Sequence, residues 1–162
     1  MIHLIVGSTG AGKTTYAQKL KKENQGILFS IDQWNTTLFL SDKSESDGLG
    51  WMLERIDRAE ALMMLLIKQL EEANVDVVLD LGFSKRKHRE KFRDFAIKNN
   101  FGFQLHFIDI SSEIRRERVV NRNIEKGDTF EFEVTDEMFE FMEEYFEAPM
   151  EEEMIGGVLK NN

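Results

Sequence analysis

Short apolar runs alternate along the chain with longer segments in which apolar residues recur every three or four positions. The apolar runs predict strands at about residues 2–6, 27–31, 75–81 and 103–109. The periodic segments predict helices at about residues 13–24, 50–73, 84–99, 111–122 and 135–146. Strands that alternate with helices are typical of parallel βαβ units. The pattern therefore predicts an α/β fold in which helices flank a parallel sheet.

Polar residues mark the starts of three of these helices. Ser84, Ser111 and Thr135 stand at the expected N-terminal ends as candidate N-caps. The segments at 33–50 and 123–133 carry no clear period, so we interpret them as loops that shape a substrate pocket. The chain has 162 residues, which is the size of one domain with a real core.

The segment GSTGAGKTT follows the first predicted strand and leads into the first predicted helix. It fits G-x-x-x-x-G-K-[ST], the phosphate-binding loop, and lies between a strand and a helix as that loop must. Glycines allow successive backbone N–H groups to converge on phosphate oxygens. We expect the loop to bind a nucleotide through Gly7, Ser8, Thr9, Gly10, Ala11, Gly12, Lys13, Thr14 and Thr15. Lys13 would reach the β- and γ-phosphates, and the Thr14 hydroxyl would ligate Mg²⁺.

An aspartate stands at the end of three other predicted strands, where ligands bind in open α/β sheets. Asp32 could accept the proton of a substrate hydroxyl, or it could cap the following turn. Asp80 has a Walker-B-like position, from which it could hold Mg²⁺ or contact substrate, or cap the next turn. For Asp109 we favour helix capping over chemistry.

Two arginines of the predicted helix at 111–122 are four positions apart and share a face. Arg118 and Arg122 could clamp the β- and γ-phosphates and stabilise charge on the transferred group. The alternative is an ordinary surface pairing with Glu113 or Glu117.

The charged residues are distributed unevenly along the chain. The net charge is −9, but 13 acidic residues and one basic residue lie between positions 125 and 153. We interpret this acidic quarter as a solvated helix face that disfavours nucleic acid and membranes. The basic run at 85–91 is also interpreted as a solvated face. The alternative is that Arg86 or Arg89 binds an anionic substrate.

Few other side chains suggest chemistry. His3 and His106 lie within predicted strands and are interpreted as packing residues, and the three histidines make no zinc site. Cysteine is absent, which excludes disulfides. The longest apolar run, at 61–67, is too short to span a bilayer. We therefore expect a cytoplasmic protein.

Several of these segments together resemble a known family. GSTGAGKTT, a strand that ends in SID, VVLDLGF, RERVVNRN and TDEMFEFMEEYFEAPMEEE are similar to the small P-loop kinases grouped as AAA-domain predicted kinases. Relatives of that group include zeta toxins, polynucleotide 5′-kinases, chloramphenicol phosphotransferase and gluconate kinase. The resemblance covers nearly the whole chain and implies a three-layer P-loop NTPase fold with strand order 2-3-1-4. A short fifth strand would lie near 155–159.

The resemblance also implies cofactors and roles. ATP and Mg²⁺ would be bound, Asp32 would act as general base, and Lys13, Arg118 and Arg122 would complete the catalytic set. A single kinase-like domain would span 1–162, with a lid at about 111–133 and an acidic C-terminal helix and tail at 135–162.

The chain departs from the relatives at one point that concerns the substrate. Polynucleotide and zeta kinases are similar in carrying an arginine shortly after the aspartate, whereas no Lys or Arg occurs here between Asp32 and Lys43. We therefore expect a kinase for a hydroxyl of a small molecule of low charge. An ATP-binding regulatory module with weak ATPase activity, or a nucleic-acid or tRNA kinase, remains as an alternative.

Overall fold

Five parallel strands form the single sheet of a computed structural model that describes residues 1–127, 130 and 133–161. The strands are β1 (Ile2–Val6), β2 (Ile27–Ser30), β3 (Val77–Asp80), β4 (Phe103–Asp109) and β5 (Val158–Asn161). Their order is β2-β3-β1-β4-β5. The predicted order 2-3-1-4 is therefore confirmed. The expected fifth strand is also present, but it begins at Val158, slightly later in the chain than expected.

Helices connect the strands. They are α1 (Lys13–Glu23), α2 (Ile31–Leu38), α3 (Leu49–Glu72), α4 (Arg86–Lys98), α5 (Ser112–Glu125) and α6 (Asp136–Tyr145), with a short 3₁₀ helix at Leu40–Asp42. Five of the six agree closely with the sequence prediction. None in the described part of the chain has the length and apolarity that a bilayer crossing requires.

Helix α2 corrects the prediction of a loop at 33–50. The Ser30 hydroxyl caps this helix by accepting a hydrogen bond from the Gln33 N–H at 3.4 Å. Ile31 is buried, and the Trp34 ring packs edge-on against Phe29 at 5.5 Å between centroids. Tertiary packing and a cap therefore stabilise a helix that the sequence period does not reveal.

The segment at 123–133 is also partly helical, because α5 continues to Glu125. Positions 128, 129, 131 and 132 of the expected lid lie outside the described residues.

Two apolar layers cover the faces of the sheet. Ile2, Leu4 and Val6 of β1 point to the face covered by α3 and α4, whereas Ile5 belongs to the cluster beneath α1. Neighbours along a strand face opposite sides of the sheet, so β1 supplies both layers. Its burial on both faces explains its continuous apolar sequence and brings the loop that follows it to the middle of the sheet edge.

The start of α4 differs from the prediction. Ser84 does not cap this helix, since its hydroxyl donates to the Gly82 carbonyl oxygen at 3.2 Å. Instead the Glu147 carboxylate accepts a hydrogen bond from the Arg86 N–H at 2.9 Å. The same carboxylate forms an ion pair with the Lys85 ammonium at 3.0 Å. A side chain distant in sequence therefore supplies the cap. The other two candidates are confirmed as N-cap residues, although only Thr135 uses its side chain.

A buried ion pair anchors the C-terminal segment to α4. Arg89 is only 1% exposed, and its guanidinium donates to both Glu153 carboxylate oxygens at 2.7 and 2.9 Å. Arg86 is held by Glu90 on its own helix at 2.7 Å. The interpretation of the basic run at 85–91 as a solvated face is therefore wrong for Arg89, which is buried. The same interpretation of the acidic quarter is wrong for Glu153, which is also buried. Neither arginine lines either of the two cavities of the described part of the chain that adjoin residues 7–14.

The two strand histidines are buried, as expected, but they are also linked. His3 Nδ1 and His106 Nε2 lie 3.0 Å apart, and His106 Nδ1 lies 2.9 Å from the Tyr16 hydroxyl on α1. Burial lowers the pKa of His3, and it lowers that of His106 to about 4. Both rings are therefore neutral at pH 7.

Candidate functional site

The phosphate-binding loop connects β1 to α1 and depends on its glycines. Gly10 and Gly12 have φ values of +79° and +90°, a region that residues with a side chain rarely adopt. A Cβ atom on Gly10 would lie 2.5 Å from the carbonyl oxygen of Arg115 on α5. The loop therefore takes its shape from glycine conformations and from a close fit against α5.

Lys13 is the first residue of α1 and lies at the end of this loop. Its ammonium donates to the Ser8 carbonyl oxygen at 3.1 Å. Burial lowers the pKa of Lys13, and the carboxylates of Asp80 and Asp32 offset part of that shift. The amine therefore lies among polar groups at the loop, where phosphate oxygens could bind it.

Thr14 and Asp80 come together as a magnesium site would require. The Thr14 hydroxyl donates to the Asp80 carboxylate at 2.8 Å, and Asp80 is 8% exposed at the end of β3. Mg²⁺ prefers oxygen ligands and is usually held by one or two carboxylates together with substrate phosphates. The described residues contain no cluster of three or more His, Cys, Asp or Glu that could hold a metal by itself. The donor set thus fits Mg²⁺ bound jointly with a nucleotide.

Arg118 and Arg122 lie on α5 beside the loop. Arg118 Nη1 donates to the Ala11 carbonyl oxygen at 3.3 Å. Among the described residues, Arg122 Nε is buried and has no hydrogen-bond partner, and a buried donor of this kind calls for an explanation such as a ligand. In the described part of the chain, Arg118 hydrogen-bonds to the loop and forms no ion pair with Glu113 or Glu117. These contacts fit the expected phosphate clamp, whose role stays a prediction.

Two adjoining cavities meet at the loop. Gly10, Lys13, Thr14 and Arg122 line both of them. The first cavity, about 400 Å³, extends toward α2 and α6 and is also lined by Ser30, Asp32, Gln33, Ser84, Met138, Met142 and Phe146. The second cavity, about 410 Å³, follows α5 past Gly12, Thr15, Arg118, Asn121 and Glu125. The loop therefore has binding space on both sides, as the transfer of a group between two molecules needs.

Asp32 lies in the first turn of α2 and faces the first cavity. The capping role that the sequence left open for it is filled by Ser30. Its carboxylate also influences the charge of Lys13. Asp32 is therefore placed among the loop groups, where a general base would need to be.

Sequence reasoning missed one partly buried ion pair that contacts the loop. Arg115 of α5 donates to both carboxylate oxygens of Glu143 on α6 at 2.5 Å and to the Thr9 carbonyl oxygen at 3.1 Å. The hydrogen bonds from Arg115 lower the pKa of Glu143 to about 2. The position of Arg115, three residues before Arg118, indicates that it shares the loop-facing side of the helix. No local pattern identifies Glu143.

The fold and loop define a nucleotide-binding protein of the P-loop class, and comparison with known proteins identifies the family. The family model described as an AAA domain matches residues 2–149. The chain therefore belongs to this family. An adenylate kinase from Nautilia profundicola is 25% identical over 130 residues, which cover 75% of this chain and 67% of that protein.

Solved structures share the fold at low sequence identity. Kti12 from Chaetomium thermophilum, in complex with ADP-AlF3, matches with a TM-score of 0.72 and 17% identity over 99% of this chain and 89% of its own. A gluconokinase from Sinorhizobium meliloti 1021 matches with a TM-score of 0.61 and 17% identity over 98% and 81%. These likenesses confirm the expected P-loop kinase fold and its parallel α/β sheet.

Proposed function

We propose that this protein is an ATP- and Mg²⁺-dependent kinase that transfers the γ-phosphate to a hydroxyl group of a small molecule. The observation that carries the proposal is the first cavity, which brings Asp32 to the same space as Lys13, Thr14 and Asp80. A loop that binds phosphate would serve any nucleotide-binding protein. A carboxylate that lines the same cavity as that loop adds a group that can orient and deprotonate an acceptor.

The basic residues and the oxygen donors of the site would have different roles. Lys13, Arg118 and Arg122 would neutralise the phosphate oxygens, and Thr14 with Asp80 would hold Mg²⁺. The metal, when bound, supplies further charge neutralisation at the phosphates. Phosphoryl transfer depends mainly on positioning and electrostatic stabilisation, and this set of side chains supports both.

The lining of the first cavity supports an acceptor of low charge. Its basic residues among those described are Lys13 and Arg122, which lie at the loop and would be engaged by phosphates. Beyond them the cavity has polar Ser30 and Gln33 on one side and Met142 on the other. An anionic acceptor would meet the Asp32 carboxylate with no spare cation, so desolvation would oppose its binding.

The substitution Asp32→Asn tests the proposal. Transfer should fall by about 10²-fold or more, the usual scale of a general base, whereas ATP affinity should stay near the wild-type value. The measurement incubates the protein with γ-labelled ATP, Mg²⁺ and a pooled library of metabolites and nucleic acids, and then follows the labelled product. ATP binding is measured separately by calorimetry.

Two further variants control this experiment. Asp42→Asn changes an exposed aspartate just beyond α2 and should leave transfer unchanged. Lys13→Ala should abolish ATP binding itself. Normal transfer by the Asp32 variant would remove Asp32 from the mechanism, and slow ATP hydrolysis with no labelled acceptor would indicate a regulatory module. We place the reaction in the cytoplasm, where ATP and Mg²⁺ are available.

A further inference from the structure

Helix α6 reaches the phosphate-binding loop through one acidic side chain. The Glu143 carboxylate accepts a hydrogen bond from the Ser8 hydroxyl at 2.7 Å as well as two from Arg115 at 2.5 Å. Arg115 also donates to the Thr9 carbonyl oxygen at 3.1 Å, and its own backbone lies against Gly10. Three successive loop residues therefore contact Glu143 or Arg115: Ser8 and Thr9 contact the paired side chains, and Gly10 lies against the Arg115 backbone.

The same helix forms a wall of the first cavity. Met138 and Met142 of α6 line that cavity, and Met142 immediately precedes Glu143 in the chain. A movement of α6 that displaces the cavity wall would therefore also displace the carboxylate that holds the loop. The side chains of Arg115 and Glu143 are 9% and 24% exposed, so water screens this contact less than it would screen an ion pair at the surface.

We propose that Glu143 and Arg115 are positioning residues that couple the phosphate-binding loop to α6, so that a bound nucleotide and the cavity wall stabilise each other. The inference rests on nucleotide binding, which is part of the proposed function, but it does not require the transfer reaction. Coupling between two sites is reciprocal. If α6 holds the loop in shape, a nucleotide in the loop must restrain α6.

The chain provides a matched control on the same two helices. Arg116 of α5 pairs with Glu140 of α6 at the surface, where their side chains are 39% and 62% exposed. Among the described residues, neither makes a hydrogen bond or ion pair with the loop. Loss of this pair removes a link between α5 and α6 without touching the loop.

Calorimetric titration with Mg-ADP measures the first half of the coupling. Glu143→Gln should weaken ADP binding by about tenfold, a usual size for contacting groups, and Glu140→Gln by less than twofold. Ser8→Ala removes only the hydroxyl contact and should weaken binding by about threefold. The double variant Ser8→Ala/Glu143→Gln should bind like Glu143→Gln alone, because both changes break one chain of contacts.

Hydrogen exchange measures the reciprocal half. Mg-ADP should slow exchange of backbone amides at residues 136–145 in the wild type and in Glu140→Gln. It should not do so in Glu143→Gln at a concentration that saturates that variant. A residue needed only for stability would raise exchange with and without ADP and would leave the difference intact.

The outcomes separate this inference from the proposed function. Equal losses of ADP affinity in Glu143→Gln and Glu140→Gln would overturn the coupling, and so would unchanged protection of α6 by ADP in Glu143→Gln. If Glu143→Gln fails to fold, Ser8→Ala takes its place, because it removes one contact to the same carboxylate. Unchanged ADP affinity together with undiminished protection of α6 by ADP in Ser8→Ala would then overturn the coupling. Coupling without any labelled acceptor would refute only the transfer reaction. A wild type that does not bind Mg-ADP would refute both.

Discussion

The charge on Lys13 depends on a balance among its neighbours. Two carboxylates, Asp80 and Asp32, favour the ammonium form, while burial and the guanidinium groups of Arg115 and Arg122 oppose it. The cations and anions at this site therefore lie close together before any phosphate adds its charge. Such preorganised charges need little rearrangement when a reaction begins, which is how polar sites lower barriers.

The buried pair of His3 and His106 should make the free energy of unfolding depend on pH. Burial lowers the pKa of His106 to about 4, so between pH 6.5 and 4 the unfolded chain binds a proton that the folded protein does not. The free energy of unfolding should therefore fall as the pH decreases through this window. At about 1.4 kcal/mol per pKa unit, the loss from His106 is at most about 3.5 kcal/mol.

Urea unfolding of the wild type and His106→Gln between pH 7 and 4 measures this effect. The variant should be less stable at pH 7 but should lose less stability on acidification. Glu143, whose pKa is about 2, acts in a different window, because its contribution is lost only as the pH falls below about 4.5. Parallel curves for the two proteins above pH 4.5 would contradict the assignment to His106.

Helix α4 depends on a cap from the segment that follows α6. Glu147 accepts the hydrogen bond of the Arg86 N–H at 2.9 Å, and its negative charge also suits a helix N-terminus. Glu147→Ala should lower the melting temperature by a few degrees. Glu147→Gln, which keeps an acceptor oxygen, should have a smaller effect.

Differential scanning calorimetry provides the comparison, with Glu144→Ala as control. Glu144 is exposed on α6. Equal melting temperatures for Glu147→Ala and Glu144→Ala would mean that the cap does not stabilise α4.

The positions of the strands and of the phosphate-binding loop could be predicted because both depend on local patterns, whereas the strand order followed from the family resemblance. Apolar runs and the glycines at 7, 10 and 12 encode them within a few positions. Helix α2 was missed because it is short, contains Thr36 and Thr37 with low helix propensity, and is stabilised by packing on Phe29. Glu143 and Glu147 were missed because their partners lie 28 and 61 residues away. No sequence period reveals contacts between such distant positions.

Part of the acidic C-terminal quarter supplies counterions for basic residues elsewhere in the domain. Glu143 pairs with Arg115 of α5, Glu153 with Arg89 of α4, and Glu147 with Lys85 just before α4. The uneven charge along the sequence therefore becomes more balanced in space. A free acidic surface for partners is correspondingly smaller than the sequence suggests.

Breaking the most buried of these pairs should destabilise the whole domain. The side chains of Arg89 and Glu153 are 2% and 4% exposed. Glu153→Gln would leave the Arg89 charge buried without a full partner, so the free energy of unfolding should fall by about 3 kcal/mol or more. Urea unfolding measures the change.

Two variants test this explanation. Glu152→Gln alters the exposed neighbour and should change stability by less than about 0.5 kcal/mol. Arg89→Met/Glu153→Leu removes both charges and should recover most of the loss, because an apolar pair of similar size can replace a buried ion pair. A double variant as unstable as Glu153→Gln would mean that packing, rather than charge, determines the effect.

The separation of Arg89 and Glu153 also affects folding during synthesis. They lie 64 residues apart in the chain, so at about 5–20 residues per second Arg89 emerges from the ribosome roughly 3–13 s before its partner. During that interval α4 cannot bury Arg89 without leaving an unpaired charge. The apolar face around Phe92 then stays accessible to chaperones until the residues near 153 have been translated.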